Sequence, residues 1–278
     1  MPELPEVETI ARGVDQRLRG DRIVEVWFGS HTQPFKTPPA VQSAGLEGRV
    51  ILEVHRTGKH IVCELGDSDD VVGAAPKAQW IVHLGMTGRL LVTTPEGPVA
   101  PHTHARLTLA SGKEMRFVDP RRFGRLEFRL LGREDSFKGP GTEPLTVATE
   151  EFAELFRGRR LAIKAALLNQ TLLHGVGNIY ADESLFRAGI RPRRTAGRLK
   201  RVELEKLRTA LQQVLRKAIQ LGGSSVSDYV DADGVRGFFQ LEHHVYLRTG
   251  EPCLVCGTPI RRITLAGRGT HFCPVCQK

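Results

Sequence analysis

Nothing in this chain approaches the roughly 18 consecutive apolar residues that a membrane-spanning helix requires. Its opening, MPELPEVE, is acidic and lacks the basic and hydrophobic regions of a secretory signal. No long internal repeat and no low-complexity tract breaks the 278 residues. These absences predict a cytoplasmic protein with no membrane partner. Cysteine is scarce: four of the five crowd near the C-terminus, and Cys63 stands alone in HIVCEL. That usage fits a reduced compartment better than a disulfide scaffold, and Cys63 reads as a buried small hydrophobe. An acidic excess is also missing. Lys and Arg number 40 against 31 Asp and Glu, for a net charge of +9 and a pI near 9.6. Such a balance favours a polyanionic partner such as nucleic acid, although a merely basic soluble protein would share it.

The length accommodates two ordinary domains, each with a core. After MPELPE, the apolar positions Val7, Ile10, Ala11, Val14 and Leu18 follow helical spacing up to Gly20. A series of β-rich runs follows: RIVEVWF, RVILEVHRTGKHIVCEL, QWIVHLGM, RLLVTT, ARLTLASGKEMRFV and GRLEFRLL. Ser111-Gly112 reads as a hairpin turn, and antiparallel sheets packed as a sandwich or barrel are the natural outcome. The Gly-, Pro- and Thr-rich stretch at 135–146 reads as a linker. Beyond it EEFAELF, LAIKAALLNQ, NIYADESLFRAG and RVELEKLRTALQQVLRKAIQLGG have helical periodicity, with apolar Val202, Leu207, Leu211, Val214, Leu215, Ala218 and Leu221 in the last.

Two features carry chemistry. Pro2 stands directly behind Met1, with Glu3, Glu6 and Glu8 close after it. Removal of Met1 would leave the Pro2 nitrogen as a free secondary amine, and α-amino groups titrate at roughly 7.7–8.0, so a useful fraction is unprotonated near neutrality. Attack by such an amine on an anomeric carbon gives an iminium, an electron sink for elimination. A helix beginning here would disfavour the protonated amine through its dipole. Proline at position two is also a common processing site, and Pro-Glu suits the first turn of a helix. The second feature is Cys253, Cys256, Cys273 and Cys276, two C-x2-C pairs sixteen residues apart. This is the spacing of a four-thiolate structural zinc ribbon with no open catalytic position. Two redox dithiols are the alternative, but no thioredoxin-like βαβ pattern surrounds either pair.

Taken together, MPELPEVET, Lys59 in TGKHIV, HLGMTGRL at 83–90, DPRRFG at 119–124, GVGNIYADESLF at 175–186, GEPCLVCGTPI and HFCPVCQK closely resemble the bacterial formamidopyrimidine-DNA glycosylases, the base-excision enzymes related to endonuclease VIII. The match runs almost end to end. The resemblance implies an α+β multidomain fold: an N-terminal β-sandwich with flanking helices over 1–134, a linker at 135–150, a helix-two-turn-helix region over 151–228, and a lesion loop with a zinc-ribbon β-hairpin over 229–278. DNA would lie in the cleft between them. By similarity Pro2 attacks C1′ of the damaged nucleotide, Glu3 is the acid/base of ring opening, Glu6 holds the helical start, and Lys59 contacts phosphate near the lesion. Met86, Arg121 and Phe123 would fill the gap left by the extruded nucleotide. His104, Lys164, Asn178 and Arg268 would contact DNA, with one structural zinc supporting Arg268.

The implied activity is excision of oxidised purines, 8-oxoguanine and formamidopyrimidines, from double-stranded DNA, then abasic-site cleavage by β- and δ-elimination, by a monomer. An endonuclease VIII-like preference for oxidised pyrimidines and a non-catalytic damaged-DNA-binding protein are the rivals. Several positions depart from the family pattern: Asn169, His174, Gly141-Thr142-Glu143, Leu247 and an apparently enlarged turn at 67–79. They bear on packing and substrate range, not on reaction class.

Overall fold

The computed structural model describes residues 2–225 and 229–278. By packing, the chain divides into two compact units, Met1–Gly139 with Gly222–Gly237, and Pro140–Leu221 with Phe238–Lys278.

The first unit opens on α1 (Leu4–Leu18), which buries Leu4, Val7, Ile10, Ala11, Val14 and Leu18 on one face, as the apolar spacing requires. Two four-stranded antiparallel sheets follow. One has the order β1-β6-β7-β5, from β1 (Ile23–Phe28), β6 (Thr103–Leu109), β7 (Glu114–Val118) and β5 (Arg89–Thr93). The other runs β2-β3-β4-β8, from β2 (Val50–Thr57), β3 (His60–Gly66), β4 (Ala78–His83) and β8 (Arg125–Leu130). The core joins the α1 face to Ile51, Trp80, Val82, Leu107, Phe117 and Leu126. Every apolar run read as a strand forms one, and Ser111-Gly112 turns β6 into β7. The enlarged 67–79 turn is closed on itself, with Lys77 Nζ 2.8 Å from Asp67 and 2.9 Å from Asp70.

The structure adds one helix the sequence did not announce, α2 (Pro39–Leu46). It is short, opens on a Pro-Pro pair that reads as a breaker, and is held by Gln42, which accepts the Trp80 indole N–H at 2.9 Å. The Gly222–Gly237 segment belongs with this unit because the Val92 N–H bonds the Ala232 carbonyl at 3.0 Å and Tyr229 joins the core.

The second unit contains α3 (Thr149–Glu154), α4 (Ile163–Leu167), α5 (Asn178–Ala188), α6 (Arg201–Gln220) and a hairpin of β9 (Arg261–Leu265) and β10 (Arg268–Phe272). In α6 the expected stripe is buried through Leu207, Leu211, Val214, Leu215 and Ala218. Val202, counted with that stripe, points to solvent from the first turn. Two sandwiched sheets, a helical region and a zinc-ribbon hairpin make this an α+β multidomain protein. Among the described residues no helix is long and apolar enough to cross a membrane.

Candidate functional site

The start of α1 is unusually buried for so polar a sequence. Pro2, Glu3 and Glu6 are all inaccessible, Glu3 at 4 % exposure. The Glu6 carboxylate is tolerated there because both of its oxygens are hydrogen-bonded. Its Oε2 accepts the Glu3 N–H at 2.9 Å and its Oε1 the Ser224 N–H at 2.7 Å, so each oxygen meets a backbone donor that would otherwise be unsatisfied. Gly223 makes the approach possible: it has a φ of +81°, and a Cβ there would stand 2.9 Å from Glu6 Oε1. The Tyr229 hydroxyl donates to the Glu6 carbonyl at 3.4 Å. Glu6 thus fastens the helix start to the segment that returns from the end of α6. Met1 lies outside the described residues, and the expectation about its removal lies there too.

Lys59 occupies the tip of the β2–β3 hairpin, half-buried. Arg56 ties that hairpin to α1: its Nε meets Glu8 at 2.8 Å while its Nη1 donates to the Gly58 carbonyl at 3.2 Å. The arginine is almost fully buried, which makes the pair a positional constraint. Cys63, on the same strand pair, is buried and its thiol is pushed up to about 12 by desolvation, as an inert core residue should be.

Met86, Arg121 and Phe123 stand on two turns of this unit, all exposed. Met86 is 41 % and Phe123 48 % accessible, and the Arg121 guanidinium lies 4.9 Å over the Phe123 ring. His104, expected to touch DNA, is instead 1 % exposed, with Nε2 2.9 Å from the Asp119 carbonyl oxygen. The structure therefore corrects that expectation: the imidazole supports the DPRRFG turn from behind.

Lys164 requires a second correction. It was expected at the DNA surface, but its exposure is 0 %. Its Nζ pairs with Asp182 Oδ1 at 2.7 Å and donates to the Gly269 carbonyl and Thr270 Oγ1, each at 2.9 Å. A buried ammonium is stable only when paired and hydrogen-bonded in this way. Asp182 also accepts the His271 N–H at 2.9 Å through Oδ2. Asn178 is the first residue of α5, with Gly177 as its N-cap, and its Nδ2 donates to the same Gly269 carbonyl at 3.0 Å. Two side chains thus converge on the residue after Arg268, which is exposed at the start of β10. Asp182 was missed from sequence, yet an aspartate among Ile179, Ala181 and Leu185 on the buried face of a helix is a readable signal for a hidden cationic partner.

The four cysteine sulfurs lie within 4.8 Å of one another. Cys253 and Cys276 are 3.9 Å apart and Cys256 and Cys273 3.5 Å. Tetrahedral thiolates at about 2.3 Å from a zinc ion would be spaced about 3.8 Å apart, so the donor set and its geometry fit. Side-chain and backbone hydrogen bonds with Thr258 lower the Cys256 thiol to about 6, whereas burial raises Cys273 and Cys276. Collecting four thiolates here needs a cation to offset their charge. The protein carries one structural zinc on Cys253, Cys256, Cys273 and Cys276.

The profile of formamidopyrimidine-DNA glycosylase N-terminal domains matches residues 1–126, that of the helix-two-turn-helix domain of the same enzymes matches 139–230, and a zinc finger found in these enzymes and in isoleucyl-tRNA synthetases matches 250–278. The chain belongs to the formamidopyrimidine-DNA glycosylase family. Relatives carrying that name include one from Solibacter usitatus, 46% identical over 279 residues with 100% of both chains covered. Another, from Symbiobacterium thermophilum, is 43% identical over 100% of this chain and 89% of its own length. A Lactococcus lactis family member solved with formamidopyrimidine-dG-containing DNA superposes with a TM-score of 0.88 at 35% identity, covering 100% of both chains. The Thermus thermophilus protein gives 0.84 at 41% identity, covering 99% of this chain and 98% of its own.

Proposed function

We infer that this family member is a bifunctional DNA glycosylase and abasic-site lyase of base-excision repair, acting on oxidised purines in double-stranded DNA. The observation that carries the reading is Pro2 at the buried start of α1, followed by a buried Glu3, in a chain that matches the family from end to end.

Once Met1 is removed, the Pro2 nitrogen uses its lone pair to attack C1′. The bond from C1′ to the base breaks, and the base leaves with its electron pair and a proton. Glu3 supplies and withdraws protons as the sugar ring opens, which yields an iminium between Pro2 and C1′. Loss of a C2′ proton expels the 3′ phosphate, and loss of a C4′ proton then expels the 5′ phosphate. Water finally hydrolyses the imine and frees Pro2. The positive end of α1 disfavours the ammonium form of the amine and so favours the nucleophile. Glu6 keeps that helix start in place through its bonds to the Glu3 and Ser224 amides.

Lys59 serves as a phosphate contact near the reacting sugar. Met86, Arg121 and Phe123 occupy the space vacated by the extruded nucleotide, as their exposure at turns supports. Arg268 grips the backbone, with Asn178 beside it, while Lys164 acts through β10 and His104 through the DPRRFG turn. The motif-based division gives a catalytic β-sandwich over 1–134, a linker at 135–150, a helix-two-turn-helix DNA-binding region over 151–228, and a lesion loop with the zinc-ribbon hairpin over 229–278. The protein works as a cytoplasmic monomer on the nucleoid.

The deciding experiment is borohydride trapping. With protein whose intact mass proves Met1 is gone, reduction during reaction with abasic-site DNA should give a stable covalent adduct, and Pro2→Gly should slow product formation severely. No adduct from fully processed protein would overturn the lyase assignment. Duplexes with 8-oxoguanine opposite cytosine, set against thymine glycol duplexes, separate this reading from an endonuclease VIII-like one.

A further inference from the structure

The exposed trio is carried by two turns that are far apart in sequence and bonded to one another. Thr87 directly follows Met86, and its hydroxyl donates to Asp119 Oδ1 at 2.6 Å. The same hydroxyl oxygen accepts the Arg121 N–H at 3.3 Å. Asp119 is fully buried; its Oδ1 also takes the Arg121 N–H at 3.2 Å, and its Oδ2 takes the Gly124 N–H at 2.8 Å. One carboxylate therefore holds the first turn through Thr87 and brackets Phe123 through the amides on either side of it.

The backbones also touch. A Cβ at Gly85, whose φ is +62, would stand 2.5 Å from the Phe123 carbonyl carbon and the Gly124 nitrogen. Between the bracketing amides, Arg122 adopts a φ of 57, a left-handed conformation disfavoured for arginine that the surrounding bonds must hold. None of these constraints is needed to close the β-sandwich, whose sheets end at His83, Val118 and Arg125.

We propose that Asp119 and Thr87 are positioning residues that join Met86, Arg121 and Phe123 into a single preorganised wedge, which enters the duplex as one body. The proposal rests on the gap-filling assignment of that trio. Extruding a nucleotide already costs stacking and pairing energy. Two independently mobile turns would have to be ordered at the same moment, at a further entropic cost that a prebuilt wedge avoids.

Thr87→Val keeps the side-chain shape and removes the hydroxyl, and Thr87→Ser restores it. A 2-aminopurine placed beside 8-oxoguanine reports duplex opening, while the lyase rate on single-stranded abasic DNA reports chemistry alone. Thr87→Val should slow duplex opening and excision about tenfold, the size expected for loss of one charge-assisted hydrogen bond, and leave the single-strand rate within about twofold. Thr87→Ser should recover opening. Thr87→Val combined with Phe123→Ala should be less impaired than the product of the two single effects, because the first acts through the second. Equal loss on both substrates, or multiplicative effects in the double variant, would overturn the proposal. Normal opening in Thr87→Val with slow opening in Phe123→Ala overturns the coupling alone. Normal opening in Phe123→Ala removes the gap-filling assignment, and the coupling with it.

Discussion

Glu3 and Phe123 are both polarised by their surroundings, but in opposite senses: one is withdrawn from water and the other is held in it. Their substitutions should therefore fail differently. On the proposed mechanism Glu3→Gln removes a proton-transfer group and should lower base excision by about 10²–10⁴, in duplex and single-stranded substrates alike. Phe123→Ala should lose its activity mainly on duplex DNA, where stacking must be overcome. Rates for both variants on both substrates, at one salt concentration, check this, and a uniform loss for Phe123→Ala would reassign the ring to folding. The zinc cysteines were legible because their spacing is a matter of local sequence. His104 and Lys164 were not, because their places depend on the Asp119 carbonyl and on Asp182, groups whose proximity only the fold creates.

Among the elements, the β9–β10 hairpin is short and bonded to groups outside its own two strands. Its strands are five residues each, and a two-stranded ribbon of that length is marginal in water. The thiolate cluster closes one side and the Lys164–Asp182 pair the other. Purified protein should contain one equivalent of zinc. Cys253→Ser should weaken DNA binding through disorder around Arg268, and chelation should impair binding before it changes the single-strand lyase rate; metal analysis with binding titrations tests both. The strands were readable from alternation and the long helix from its apolar stripe. α2 was not, since eight residues behind a Pro-Pro pair carry too little periodicity to separate from a loop.

At the scale of the molecule, acid should be the weak side of its stability. Burial, together with neighbouring cations, lowers His60 and His83 to about 4 each, from an ordinary value of 6.5. The unfolded chain binds these protons and the folded one does not, so the contribution is complete above pH 6.5 and declines toward pH 4. Between pH 7 and pH 5 the loss should be on the order of 1–2 kcal/mol per histidine, read from urea midpoints, and His60→Asn should flatten the slope. A slope unchanged in that variant would place the acid sensitivity elsewhere. Chain order has its own consequence. The clasp on the start of α1, Glu6 with Ser224, joins residues 218 positions apart. On the ribosome, at roughly 5–20 residues per second, the helix that follows Pro2 waits on the order of 10–40 s for that clasp to be synthesised. A nascent or prematurely terminated chain therefore carries the start of α1 without its anchor, which, on the proposed mechanism, ties competence to cut DNA to completion of translation past the long α6.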